Sequence, residues 1–319
     1  MGRFLARRLA VTLLVLWGIS ALTYMLVAIL PGDLASEILG VWGAQRNPEA
    51  LEQLREEMGL NRPWYERYVV WLGDFVRGDF GYGVIYRAPV AELVWDALKN
   101  TLVLAVAAFV PSTALGVGAG VFAGTRPNSL ADRSITTLSV LAASVPQYWL
   151  GLMLIALFAL HLDWLPAAGM WDTRNPGGLR DLGLHLILPA LTLAAVPTAV
   201  ISRLVRSAMI EVMQQDYIRT ARAKGLHERA VIRRHAARNI APTAINIVTL
   251  QFGYLISGTI FVEVVFAWPG LGGLLLGAVA SRETAAILAI TMLVAATFVL
   301  MTLIADVAQS LLDPRVRLE

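Results

Sequence analysis

Charged residues cut this chain into long apolar runs. No Asp, Glu, Lys or Arg occurs within 9–32, 100–125, 134–162, 182–202, 239–262, 264–281 or 284–305. A charge at the centre of a membrane-spanning helix costs roughly 2.5–3.5 kcal/mol on insertion scales, whereas a Leu or Ile returns only about 0.3–0.6 kcal/mol. One charge therefore offsets several aliphatic side chains, and the charge-free run is the natural unit to count. A spanning helix needs about 20 residues, which six of the runs supply. The run 264–281 is shorter and contains "FAWPGLGG". Pro269 removes an N–H donor there, and Gly270, Gly272 and Gly273 weaken helix formation. This segment is expected to dip into the membrane or lie on it, supported by protein. The pattern predicts an all-α integral membrane protein with six transmembrane helices, at about 9–31, 100–124, 134–160, 184–204, 240–262 and 284–308.

The segments between the runs orient these helices. Their net charges are +3 (1–8), −4 (33–99), +1 (126–133), −1 (163–181), +6 (203–238), −1 (263–283) and −1 (306–319). Short cytoplasmic loops carry the excess of Lys and Arg, which places 1–8, 126–133 and 203–238 in the cytoplasm. Six spans return the C-terminus, with Arg315 and Arg317, to the same side. Both termini are thus expected to be cytoplasmic, with 32–98 an external helical segment and 205–239 a cytoplasmic loop. The first span follows "GRFLARR", a start shared with secretory signals, but its 24-residue run exceeds a signal's apolar core and no small-residue cleavage site stands out. An uncleaved helix is expected.

Composition agrees: 57% of residues are hydrophobic and 15% charged, against about 25% charged in soluble domains. The net charge of +3 comes from membrane-flanking loops, so it argues for topology and against nucleic-acid binding. With no cysteine, thiol and disulfide chemistry are excluded. Lys99 and Lys224 are the only lysines, and neither ends a P-loop motif. His161, His185, His227 and His235 form no metal-binding pair, and the arginines of "HERAVIRRH" would repel a metal ion. His161 and His185 are expected at the ends of the third and fourth spans. No nucleophile elbow occurs, and Glu263 and Asp306 sit at span edges rather than in an intramembrane relay. Three classes remain: the membrane subunit of a transporter powered by another chain, a channel or secondary carrier, and a membrane-integral enzyme. The last two call for a buried ionisable path or a catalytic cluster, which the sequence does not display.

Local patterns add detail. "NPEALEQLREEMG" predicts a helix capped by Asn47, opened by Pro48, striped by Leu51, Leu54 and Met58 and ended by Gly59. In "RPWYERYVVWLGDFVRG", Tyr68, Trp71, Leu72 and Phe75 share one helical face, suited either to the membrane interface or to internal packing. Gly116, Gly120 and Gly124 admit close approach of another helix, from this chain or another. Pro146, Pro189 and Pro197 are candidate kinks. In the fifth span Asn246, Thr249, Gln251, Ser257 and Thr259 must face an interior, either for helix–helix hydrogen bonds or to line a path.

The most unusual stretch is "DYIRTARAKGLHERAVIRRHAARN", 216–239, with seven Arg or Lys against two acids. Asp216 can cap a short helix that Gly225 ends in the left-handed conformation. "HERAVIRRHAARN" restarts a helix with Ala230, Val231 and Ala237 on its apolar side. Positive charge alone fits orientation and lipid headgroups. An ordered helix–Gly–helix also fits a docking surface.

This segment resembles the cytoplasmic "EAA" loop of binding-protein-dependent ABC importer permeases, in the form "YIRTARAKGL…RH…RN" of the dipeptide/oligopeptide B-type branch. "LPGDLASEILG" (30–40), "PEALEQLREEMGLNRPWYERYVVWLGDFVRGDFG" (48–81), "NTL" (100–102), "SVPQYWLGLMLIALFAL" with "WLPAAG" (144–169), "LPALTLA" (188–194), "VEVVFAWPGLGGLL" (262–275) and "DPR" (313–315) are similar to that family in the same order. Arg219-Thr220-Ala221 replaces Glu-Ala-Ala, as is usual for the peptide branch. The resemblance implies a type I, MetI-like permease in a prokaryotic plasma membrane. It implies a homologous C-type permease as partner, two cytoplasmic ABC ATPases that bind ATP and Mg, and an extracytoplasmic substrate-binding protein. No cofactor and no catalysis would belong to this chain itself. The expected ATPase-coupling residues are Tyr217, Ile218, Arg219, Ala221, Arg222, Lys224, Gly225 and Glu228. Gln147, Asn246, Thr249, Gln251, Ser257, Glu263, Trp268 and Pro269 are candidates for pore or gate, with Glu263 expected to meet water or a peptide amine. The implied substrates are dipeptides or oligopeptides, with nickel complexes, glutathione and oligosaccharides as alternatives.

Overall fold

A computed structural model describes residues 2–29, 35, 39, 47–57, 59–172 and 177–312. Met58, most of the 30–40 motif and Asp313-Pro314-Arg315 lie outside the described residues. The chain forms two compact units, one of Met1–Leu9, Lys99–Gly273 and Thr297–Glu319, the other of Ala10–Leu98 and Leu274–Ala296. The helices among the described residues are α1 (Gly2–Ile29), α2 (Pro48–Glu57), α3 (Trp64–Val76), α4 (Val90–Gly124), α5 (Leu130–Ser144), α6 (Gln147–His161), α7 (Gly178–Met213), α8 (Asp216–Ala223), α9 (Glu228–Val265), α10 (Leu271–Ala280) and α11 (Thr284–Leu312). The one β ladder among the described residues pairs Tyr82–Gly83 with Ala88–Pro89.

In the smaller unit, the aromatic face of α3 is used for packing. Ser20 Oγ donates to the Trp17 carbonyl, which leaves the Tyr68 hydroxyl to donate to Ser20 at 2.7 Å. Tyr24 lies 5.5 Å from both Tyr68 and Trp71, and Phe75 stacks on Phe80 at 4.9 Å. Tyr65, Val69 and Val76 on the other side of α3 remain exposed.

In the larger unit, α4, α7 and α9 are long and apolar enough to cross a membrane, as are α1 and α11. The expected third span, 134–160, is not one straight helix: α5 and α6 meet at 102°. Pro146 lacks an N–H donor and disfavours the helical conformation of the residue before it. Val145 accordingly turns extended, with φ −85° and ψ 126°. Each arm is about 22 Å long at roughly 1.5 Å per residue, short of the ~30 Å hydrocarbon core. Five helices are long and apolar enough to cross a membrane, or six spans if this bent pair counts as one. His185 is not at a surface but is buried, with its Nδ1 3.0 Å from Asp181.

The glycine stripe of α4 packs within this chain. A Cβ on Gly116 would stand 2.8 Å from the Ile201 side chain, one on Gly120 2.6 Å from the Ser202 carbonyl, and one on Gly124 2.6 Å from Met209. Without those carbons the two backbones come together along α7. Gly118, on the opposite side of α4, has nothing within 4 Å. Gly120→Val is therefore expected to destabilise by about 1–3 kcal/mol through overpacking, whereas Gly118→Ala is neutral or slightly stabilising. Thermal unfolding of the detergent-solubilised variants, read against wild type, checks the pair.

Candidate functional site

The basic segment folds as helix, turn and helix. α8 ends where Gly225 adopts φ +78°, a conformation costly for any residue with a Cβ, while its N–H donates to the Arg222 carbonyl at 2.9 Å. His227 Nδ1 then accepts from the Arg229 N–H and starts α9. Arg222 spans the turn, donating from Nη2 and Nε to the two Glu228 oxygens at 2.7 and 3.1 Å. This pairing holds the Glu228 carboxyl below its ordinary range.

What fixes α8 is apolar. Ile218 and Ala221, three residues apart, turn inward onto Ile201, Val205 and Met209 of α7 and onto Val231, Ala236 and Ile240 of α9. Ile218 is 0% exposed. Truncating a buried Ile to Ala costs about 2–5 kcal/mol, whereas exposed ion pairs contribute about 0–1 kcal/mol. With Arg222 and Glu228 43% and 50% exposed, the anchor outweighs the strap. Ala236, not the expected Ala237, shares the buried side with Val231 because 231–236 is π-helical; an i→i+5 turn brings residues five apart onto one face.

An ion pair between buried Asp132 and partly exposed Arg206 holds α7 from another side. Arg206 donates through Nη2 to Asp132 Oδ2 at 2.8 Å and through Nε to Oδ1. Asp132 also accepts from the Asn128 N–H at 2.9 Å, and its own N–H donates to Ser129 Oγ. The pair ties the start of α5 to the end of α7.

The break at Pro146 creates a groove of about 540 Å³ where Gln147 opens α6. Val196, Pro197 and Val200 of α7 and Gln251, Tyr254 and Ser257 of α9 contribute to its walls. Its polar groups are amides, a hydroxyl and a phenol, able to donate and accept without a fixed charge. Further along α9, Glu263 is 0% exposed. Thr101 Oγ1 donates to one of its oxygens at 2.7 Å and the Gly272 N–H to the other at 2.6 Å. Thr101 Oγ1 accepts from the Leu271 N–H, the Trp268 indole donates to the Asn100 carbonyl, and Asn100 donates to the Pro269 carbonyl. Cβ atoms at Gly270 or Gly272 would collide with Glu263. "NTL" and "AWPGLGG" are thus two sides of one hydrogen-bonded knot.

Residues 116–318 match the profile of the binding-protein-dependent transport system inner membrane component, and residues 1–105 match its N-terminal companion. The chain belongs to this permease family. It is 36% identical over 321 residues to the probable peptide ABC transporter permease protein y4tP of Sinorhizobium fredii, covering 99% of this chain and 100% of that protein. It is also 36% identical to the oligopeptide transport system permease protein AppB of Bacillus subtilis, over 99% of each chain. An inward-facing structure of the MetNI methionine ABC transporter shares the fold, with a TM-score of 0.57 at 18% identity, covering 70% of this chain and 98% of that one. The protein is therefore a multi-pass inner-membrane permease of a binding-protein-dependent ABC transporter.

The permease structure sorts the expected site residues. Tyr217, Arg219, Lys224 and Gly225 are exposed on the α8 turn, as are the mutually paired Arg222 and Glu228, whereas Ile218 and Ala221 face inward. Gln147, Gln251 and Ser257 meet in the groove. Thr249 stands roughly 200° around α9 from Gln251 at about 100° per residue, and its hydroxyl donates back to the Ile245 carbonyl. Asn246 is likewise absent from the groove walls. Glu263, expected to meet water or a peptide amine, is instead enclosed with Trp268 in the knot, and only Pro269 of that group is exposed. The Asp132–Arg206 pair was not among the expected site residues. Its signal was a Ser129-x-x-Asp132 capping pattern and two arginines, Arg203 and Arg206, just beyond an apolar run. Ile218→Ala is expected to raise amide exchange across 216–226 by at least ten-fold, and Arg222→Gln by less than about five-fold; hydrogen-exchange mass spectrometry of the purified permease reads both.

Proposed function

We propose that this permease forms half of the membrane pore of a peptide importer and is driven through α8 by a separate ATPase. The observation that carries the proposal is the division of α8 into an inward anchor, Ile218 and Ala221, and an outward face carrying Tyr217, Thr220 and Lys224 beside the Gly225 turn. A short helix fixed from below offers its outer face to a groove on a partner. The partner ATPases would bind ATP and Mg and carry acidic groups toward Arg219 and Lys224. A homologous C-type permease would complete the pore, and an extracytoplasmic binding protein would deliver substrate. Leu13, Leu14 and Trp17 of α1 are exposed apolar surface available to lipid or to that second permease.

Peptides are the proposed substrate because y4tP and AppB carry peptide-transport names and because the groove offers neutral donors and acceptors suited to any peptide backbone. In proteoliposomes holding the assembled transporter, peptide-loaded binding protein is expected to stimulate ATP hydrolysis together with uptake. Gly225→Pro imposes a φ near −65° where +78° is required, and should lower uptake at least ten-fold while basal hydrolysis persists. Wild-type coupling in a well-assembled Gly225→Pro complex contradicts the coupling role. Stimulation by glutathione, a nickel complex or an oligosaccharide, but not by dipeptides or oligopeptides, contradicts the substrate.

A further inference from the structure

The smaller unit holds a cavity of about 820 Å³ that the transport reading does not use. It lies where the last turns of α1 (Tyr24, Val27, Ala28) and the first turn of α11 (Thr284, Ala285, Leu288) meet the segment that carries α2 and α3. Both helix ends belong to the same side of the membrane, so the cavity sits at headgroup level. One part of its wall is apolar, through Val27, Ala28 and Leu288. Among the described residues, another part carries three arginines, Arg55, Arg62 and Arg67, against two acids, Asp74 and Asp79.

The acids are engaged elsewhere. Asp79 accepts the Gly81 N–H at 2.9 Å, and Asp74 lies 3.4 Å from Arg77. Arg55 faces Glu52 at 3.5 Å. Arg62 forms no ion pair among the described residues, and the Arg67 Nε is buried without a hydrogen-bond partner. Arg62 and Arg67 both line the cavity, and a phosphate oxygen is the acceptor that a guanidinium fits best. Beside the cavity, α1 exposes Leu22, Leu26 and Ile29, a surface for an acyl chain.

We propose that this cavity binds the phosphate of a phospholipid headgroup, with Arg62 and Arg67 as its donors and the apolar wall of α1 against the glycerol and upper acyl carbons. This rests on reading the chain as membrane-embedded, but not on the coupling role of α8. The test is native mass spectrometry of the assembled transporter released from nanodiscs of phosphatidylglycerol, phosphatidylethanolamine or phosphatidylcholine. Wild type should retain one phospholipid through detergent exchange. R62Q/R67Q should lower that occupancy at least ten-fold, whereas R77Q, whose arginine is 79% exposed and outside the cavity, should not. Val27→Trp fills the cavity from its apolar side and should also expel the lipid with both arginines intact. Retention of lipid by R62Q/R67Q and by Val27→Trp at the wild-type level overturns the proposal. Occupation of the site by inorganic phosphate or glycerol phosphate in preference to lipid assigns it to a free anion and overturns the lipid claim. Uptake measured on the same wild-type preparation reports separately on the transport reading, so the two can fail independently.

Discussion

The stripe Ile201, Val205 and Met209 on α7 is the contact on which the larger unit depends. Gly116, Gly120 and Gly124 let α4 settle against it, and Ile218, Val231 and Ala236 cover it from the cytoplasmic loop. Neither contact tolerates much change: a methyl group added at the glycines collides, and a methyl removed at Ile218 leaves a cavity in a fully buried cluster. Arg206, within the same turns of α7, adds a charge-paired link to the start of α5. Four segments are thereby fastened to one length of helix.

That length of helix joins the two candidate functional regions. Pro197 and Val200 line the groove, and Met209 lies about 18 Å further along at roughly 1.5 Å per residue. With 36 residues, α7 is about 54 Å long and passes well beyond a ~30 Å hydrocarbon core, so its end carries α8 outside the lipid. A displacement of α8 by a partner would be delivered through packed side chains to the helix that walls the groove. The polar sides of α8 and the groove carry no buried charge and no reaction centre, in keeping with the proposed drive by a separate ATPase.

Much of this was legible in the residues because lipid imposes a severe rule: backbone groups must be satisfied within the helix and charges kept at its ends. The stop at Gly225 follows from glycine chemistry, whereas Asp216, expected to cap the helix, lies in its first turn behind Gln215, which makes no side-chain capping bond. The failures share a cause, namely that a periodic reading assumes regular helices and assigns polarity to solvent. Pro146 breaks the third span instead of kinking it, the π-helical turn moves the buried position from Ala237 to Ala236, and Glu263 turns its carboxyl oxygens to Thr101 and Gly272 rather than to water. The Asp132–Arg206 pair joins residues 74 apart in the chain, a distance across which no local pattern speaks.

The chain has no native cysteine, so single cysteines can map the outer face of α8 directly. In the assembled transporter, Tyr217→Cys, Thr220→Cys and Lys224→Cys should each cross-link to an ATPase subunit with a short bifunctional reagent, while Ile218→Cys should not. Cross-linking from none of the three outward positions, or equal cross-linking from Ile218, would contradict the assignment of α8 as the helix through which this permease is driven.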